Sequence, residues 1–356
     1  MRNRSSITIK ELSTRLGLST ATVSRAFTPG ARINDATRSR ILAEAEALGF
    51  SPNSNARRLA QQRSGLIGLD CPGNFNILDN LFLVELARGI QAAASSSGYG
   101  LLLNTLPRDG GDVTLLREWV HGRVVDGVVL VLPPGFPMET LKILAGRDVP
   151  CVVIAQNDER ATPLRRVTLD LEHGALAALR HLRLLGHRRI GFLSSNPPDS
   201  VHRAYTEFMK ADNLFDSSLI AYTDASVASA RNAMHQLLAV SDRPTAVFAR
   251  NDVIALGALR AAREMGLGVP GDISVIGHDD IVLAGLTDPA LTTVRVDTER
   301  LGRIATEMLL EAMQPNAANA EADQELKVHT ELIVRDSTAP IARAVVTIHA
   351  GENVLA

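Results

Sequence analysis

Short apolar runs recur along most of this chain, and they limit its fold more than any other feature. LIGLD (66–70), YGLLLN (99–104), GVVLVL (127–132) and CVVIA (151–155) form one series; RRIGFLS (188–194), TAVFAR (245–250) and ISVIGHD (273–279) form a second. Each run suits a strand buried on both faces, and helical periodicity fills the gaps between them, as over 171–185 and 252–265. That pattern belongs to parallel sheets covered by helices, and two series predict an α/β body of two doubly wound lobes. Polar groups at the carboxyl ends of such strands are where a ligand would gather. Asn251 follows one run and Asp279 and Asp280 follow another, with Arg203, Asn80 and Phe82 as further candidates. Carboxylate and amide acceptors set against an arginine and an aromatic ring suit a sugar, although a polar residue at a strand end also commonly caps the next helix.

The first fifty residues read differently. Ile9, Leu12 and Leu16 share one helical face, and Gly17 suits a left-handed helix end. Ser19 then caps a second helix over 20–27, whose Val23, Ala26 and Phe27 can face the first across a very short turn. Asn34 caps a third helix over 35–48 with Ile41, Ala45 and Leu48 inward, and Gly49 closes it. This is helix-turn-helix spacing, which brings the leading turn of the second helix to the DNA major groove. Thr20, Ala21 and Ser24 would then face base edges, Arg25 a base or a phosphate, and Ile9, Lys10 and Ser19 join them as candidate contacts. The plainer reading of the same pattern is a three-helix surface bundle.

Charge is consistent with a division of labour. Residues 1–63 hold eleven Lys and Arg against four Asp and Glu, a net +7, which leaves −9 on the rest of a chain whose formal net charge is −2. A basic head on an acidic body is expected where only the head meets phosphates, and it is equally the layout of a solvated basic surface. After the head, Pro52 breaks the chain and Asn53 can cap a short helix through Ala56, Arg57 and Leu59. Leu59 beside two arginines fits a minor-groove wedge, or a plain linker whose leucine packs on the body.

TVSRAF (22–27), ATRSRIL (36–42) and GFSPNSNARRL (49–59) resemble the DNA-binding head and hinge of the lactose-repressor (LacI) family. The similarity continues through DNLFLVELARGI (79–90), LGHRRIGFLS (185–194), ARNDVIALGALRAAREMGLGVPGDISVIGHDD (249–280), PALTTVRVD (289–297) and ELIVRDSTAP (331–340). The resemblance implies an all-α helix-turn-helix head over 1–50, a hinge over 51–63, a two-lobed periplasmic-binding-protein-like body over 64–340, and a tail over 341–356. It places lobe one at about 64–156 and 298–316 and lobe two at about 157–297 and 326–338; the residues PNAANAEADQE (315–325) themselves read as a solvated loop. It makes Thr20 and Ala21 the operator-discriminating positions, Arg25 a DNA contact and Leu59 an intercalating leucine. Asn251, Asp279, Arg203 and Phe82 carry over as effector contacts. Gln156 stands where the family often has aspartate after the fourth strand, and Thr206 where it usually has glycine.

The expected partners are a palindromic double-stranded operator, a small effector (a carbohydrate, with a nucleobase or nucleoside as alternative) and a second copy of the chain, since no leucine heptad for a tetramer follows Pro340. Other classes fare worse. MRNRSSITIKEL lacks the apolar region of a secretion signal, which argues against a transport binding protein and for the cytoplasm. Cys71 and Cys151 are far apart with no zinc spacing, and no metal, cofactor or catalytic constellation is expected. GLGVPG (266–271) satisfies GxGxxG, yet it follows a helix and precedes a strand, the reverse of a dinucleotide site.

Overall fold

The computed structural model describes residues 7–27, 31–50, 63–71, 80–104, 114–132, 136, 141, 149–156, 164–195, 198–314 and 325–341. The chain divides between Gly65 and Leu66 into two compact units.

The head contains α1 (Ile9–Leu16), α2 (Thr20–Ala26) and α3 (Asp35–Ala47). Each begins at a side-chain cap that satisfies N–H groups a helix cannot pair internally. Thr8 and Glu11 form a reciprocal capping box on α1, Ser19 caps α2, and Asn34 accepts from the N–H groups of Ala36 and Thr37 on α3. Gly17 ends α1 at φ 66, where its N–H meets the carbonyls of Ser13 and Thr14. Leu12, Leu16, Val23, Ala26, Ile41 and Ala45 form the buried core, with Leu48 and Phe50 packed against it.

The body holds two parallel sheets. The larger runs β11–β5–β4–β3–β1–β2, built from β1 (Leu66–Asp70), β2 (Gly100–Leu103), β3 (Gly127–Val131), β4 (Cys151–Gln156), β5 (Arg165–Asp170) and β11 (Glu325–His329). The smaller runs β7–β6–β8–β9, built from β6 (Ile190–Ser195), β7 (Ile220–Thr223), β8 (Ala246–Ala249) and β9 (Ser274–Ile276). β10 (Thr293–Arg295) and β12 (Glu331–Ile333) make a separate antiparallel pair. The helices are α4 (Leu81–Ser96), α5 (Thr114–His121), α6 (Leu171–Leu184), α7 (Ser200–Ala211), α8 (Val227–Leu238), α9 (Asp252–Glu264) and α10 (Thr298–Ala312).

Two strands depart from the lobe boundaries expected from the sequence. β5, expected in lobe two, pairs with β4 in the larger sheet, and β11 joins that sheet beside β5. The chain therefore leaves the larger sheet at Asp170, one strand later than expected, and enters α6. β5 opens with two arginines, and four of its six residues, Arg165 among them, are nevertheless buried. α10 packs with α4 on the larger core. α10 crosses α4 so closely that a Cβ on Gly89 would lie 2.0 Å from the Glu299 carbonyl oxygen, and one on Gly302 2.4 Å from that of Leu86. One apolar core spans both sheets: Leu171, Ala175, Leu179 and Leu182 of α6 join Ile154 and Val167 of the larger sheet to Phe192 and Phe248 of the smaller. Among the described residues no helix is long and apolar enough to cross a membrane.

Candidate DNA interface and effector site

In the head, burial of Val23 and Ala26 turns the opposite face of α2 outward, so that Thr20, Ala21, Ser24 and Arg25 are all exposed. The outward face of α2 thus presents two hydroxyls, a methyl group and a cation to whatever the head meets. Lys10 is also exposed, whereas Ile9 is half-buried and packs on the head core. The Ser19 hydroxyl is committed to the cap, 3.1 Å from the Thr22 N–H and 2.8 Å from its hydroxyl. Part of the basic excess is structural. Arg38 donates to the carbonyls of Ala26 and Ala31, Arg40 donates to that of Leu16 at 3.0 Å, and Arg15 pairs with Glu44 at 3.0 Å. Arg38 and Arg40 therefore hold carbonyls at the ends of α2 and α1, where a cation is favoured. Asn53, Ala56, Arg57 and Leu59 lie outside the described residues.

In the body, polar side chains collect at the carboxyl ends of β6, β8 and β9. Asp199 caps α7, its Oδ1 accepting from the N–H groups of Val201 and His202 at 3.1 and 3.2 Å. Its other oxygen pairs with Nε of Arg250, which directly follows β8. Both groups are buried. Burial by itself would raise the Asp199 carboxyl, but the Arg250 charge and the hydrogen bonds from Arg250 and His202 outweigh it and hold the carboxyl below its ordinary range. Burial likewise opposes the Arg250 charge, and Asp199 and Asp279 more than restore it.

Beyond β9 the backbone turns through His278, Asp279 (φ 108) and Asp280 (φ 56). The Asp279 N–H donates to the Val294 carbonyl at 2.7 Å, and its carboxylate lies 3.0 Å from His278 Nδ1. Nε2 of this fully buried ring has no hydrogen-bond partner among the described residues. Asp280 accepts from Arg295 Nε at 2.7 Å and Arg335 Nη2 at 2.6 Å. Asp252, wholly buried, accepts from the Ile281 N–H at 2.9 Å and the Thr293 hydroxyl at 2.5 Å. Burial, and then the neighbouring Asp279 charge, pushes the Asp252 carboxyl well above its usual range. Only glycine fits at 277, where a Cβ would stand 2.1 Å from Asp252 Oδ1.

The residues expected at the effector site divide into two groups. Asn251, Asp279 and Arg203 follow β8, follow β9 and lie on α7 respectively. Asn251 caps α9 through the Ile254 N–H at 2.9 Å, and Arg203 pairs with Glu172 of α6, Nε at 3.0 Å and Nη2 at 2.9 Å. Asn80 and Phe82 belong to the start of α4. Asn80 caps that helix through the Leu83 N–H at 3.2 Å, and Phe82 packs on the larger core. The side chain of Gln156 lies outside the described residues, and Thr206 sits within an unbroken α7. Sequence reasoning missed Asp199, Glu172, Arg250 and His278. An arginine directly after a fully apolar strand, in the run Arg250-Asn251-Asp252, was the available signal for one of them.

Enzymatic arrangements are weakly represented. Ser194 Oγ lies 2.9 Å from His202 Nδ1, but Ser194 is fully buried and its hydroxyl donates to the Ser195 carbonyl, so the pair is packed rather than poised for attack. Burial pushes the Cys151 thiol up to about 12, far from a reactive thiolate. No group of three His, Cys, Asp or Glu suited to a metal occurs among the described residues.

Comparison with known proteins fits this geometry. A periplasmic binding protein-like domain matches residues 179–338. The lac repressor dimer bound to operator and the anti-inducer ONPF superposes with a TM-score of 0.80 at 26% identity, over 94% of this chain and 99% of that one. The HTH-type transcriptional repressor PurR of Serratia proteamaculans (strain 568) is 33% identical over 342 residues, 93% of this chain and 97% of its own length. The chain belongs to the LacI family of transcriptional regulators. Another structure similar to this LacI-family chain is the transcriptional regulator CelR–cellobiose complex, with a TM-score of 0.67 at 28% identity over 93% of this chain and 99% of that one. As a LacI-family regulator the chain joins a DNA-binding helical head to a ligand-binding α/β body.

Proposed function

We propose that this regulator is a cytoplasmic, dimeric repressor. In this reading its affinity for a palindromic operator is set by a small hydroxyl-rich effector held at the strand ends of the body, by Arg203, Asn251 and Asp279 with Asn80 and Phe82 from α4. Thr20, Ala21, Ser24 and Arg25 read the operator, with Lys10 and the backbone around Ser19 contributing phosphate contacts. Asn53, Ala56, Arg57 and Leu59 form the hinge contact. The observation that carries the reading is the exposure of Thr20, Ala21, Ser24 and Arg25 on one face of a capped second helix, on a head that is basic while the body is acidic. Two-fold symmetry of the protein would be mirrored in the operator half-sites.

The test is selection of binding sites from fragmented genomic DNA followed by footprinting, repeated with D-ribose, cellobiose and hypoxanthine present. A protected palindrome whose occupancy changes with one of these compounds is expected, with an affinity that falls steeply as salt rises. Absence of any protected site would sink the proposal. A nucleobase effector is the second reading, favoured by the similarity to a relative named PurR; a response to hypoxanthine and to neither sugar would select it.

A further inference from the structure

A guanidinium is the natural receptor for phosphate or carboxylate, because its fork of N–H groups matches two anionic oxygens. Among the described residues four lie at or beside the body's strand ends, and each meets a carboxylate of this same chain. Arg203 lies against Glu172, Arg250 against Asp199, and Arg295 and Arg335 share Asp280. The Arg250–Asp199 pair is almost sealed from water, with side-chain exposures of 10% and 4%, so an incoming anion cannot displace Asp199 into solvent cheaply. The Arg203–Glu172 pair is more open, at 52% and 28%, which makes Arg203 the guanidinium an effector would meet first.

Ion pairs of this kind are poor receptors for an anion and good ones for hydroxyls. A phosphate approaching Arg203 or Arg250 must share it with a carboxylate of like charge while losing its own hydration. An alcohol donates to the carboxylate and accepts from the guanidinium at once, and keeps both partners paired. Asp279 adds a further acceptor, its carboxylate held by His278 and by a left-handed backbone. The Arg203–Glu172 pair and Asp279 so arranged favour a neutral polyol.

We propose that Glu172 and Asp199 are specificity-determining carboxylates, which neutralise Arg203 and Arg250 so that the site takes an uncharged, hydroxyl-rich effector and rejects its phosphorylated counterpart. This inference rests on the effector reading above and adds the charge class of the ligand. Glu172 acts by its pairing with Arg203 at the open side. Asp199 acts by its pairing with Arg250 at the buried side, while it also caps α7.

The purified full-length chain is titrated calorimetrically with D-ribose, D-glucose and cellobiose, and in parallel with D-ribose 5-phosphate and D-glucose 6-phosphate. Two variants accompany it: Glu172→Gln, which keeps the side-chain shape, and Asp199→Asn, which keeps the cap because asparagine serves an N-terminus as well as aspartate. The parent should bind a neutral sugar and take the matching phosphate at least a hundredfold more weakly. Glu172→Gln should narrow that ratio at least tenfold, with Asp199→Asn acting in the same direction. A parent that binds a phosphorylated sugar as tightly as the neutral one, or a ratio unmoved in both variants, overturns the inference and leaves the effector reading intact. Silence from all five compounds removes the sugar-effector reading and this inference with it.

Discussion

Removing the Arg250 side chain should be among the most damaging single changes in the body. In Arg250→Ala the Asp199 carboxylate, 4% exposed, keeps its two N–H donors and loses the guanidinium paired with it. Truncating one partner of a buried pair costs about 3–5 kcal/mol, because the other charge stays buried. At about 2–4 °C per kcal/mol for domains of 150–250 residues, the melting temperature should fall by roughly 6–20 °C. Asp199→Asn with Arg250→Met keeps the α7 cap and the aliphatic stem while removing both charges, and should recover at least about 2 kcal/mol of that loss. The pH dependence has a definite sign. The Asp199 carboxyl is depressed in the folded parent, so its stabilisation is present above the ordinary value of 3.8 and is lost as pH falls through the folded value. Without Arg250 the burial contribution prevails, and the variant should regain ground on the parent as pH falls from 7 toward 4. Urea denaturation followed by fluorescence of Trp119, a buried residue and the only tryptophan of the chain, reports the body directly. A loss below about 1 kcal/mol, or strict additivity in the double-variant cycle, would refute the argument.

Three further outcomes follow from the same geometry. Gly302→Val must push α4 from α10, since even a Cβ would stand 2.4 Å from a backbone oxygen; a cost of about 3 kcal/mol in denaturant titration is expected, and an unchanged midpoint would show that the crossing is not tight. Asp252 has a raised carboxyl, so between the unfolded value of 3.8 and the folded one the native state holds more protons and stability falls as pH rises; Asp252→Asn should remove that slope from melting curves taken between pH 4 and 8, and an identical slope would contradict it. Arg40→Ala deletes a charged donor to the Leu16 carbonyl, so amide exchange in α1 should accelerate by an amount corresponding to about 1.5 kcal/mol, and unaltered exchange would place Arg40 outside the head's stabilising contacts.

The local signals in the sequence were those that act over three or four residues, or over the two-residue repeat of a strand. Ser19, Gly17 and Asn34 mark the ends of the head helices because capping depends only on a side chain reaching N–H groups within its own turn, and the seven apolar runs became strands because a short continuous apolar segment has to be buried on both faces. Asn251 and Asp279 stood out by the same local logic as strand-end residues, whereas Arg203, within a helix, was singled out by family resemblance. Tertiary structure decided the rest. β5 opens with two arginines, so its place in the larger sheet depended on β4 and β11 being there to pair with it. Arg250 meets Asp199 across 51 residues, and Arg203 meets Glu172 across 31. A charge in a linear sequence has no partner until the chain returns to it; Glu172 and Asp199 were therefore invisible as partners until the fold brought them beside Arg203 and Arg250.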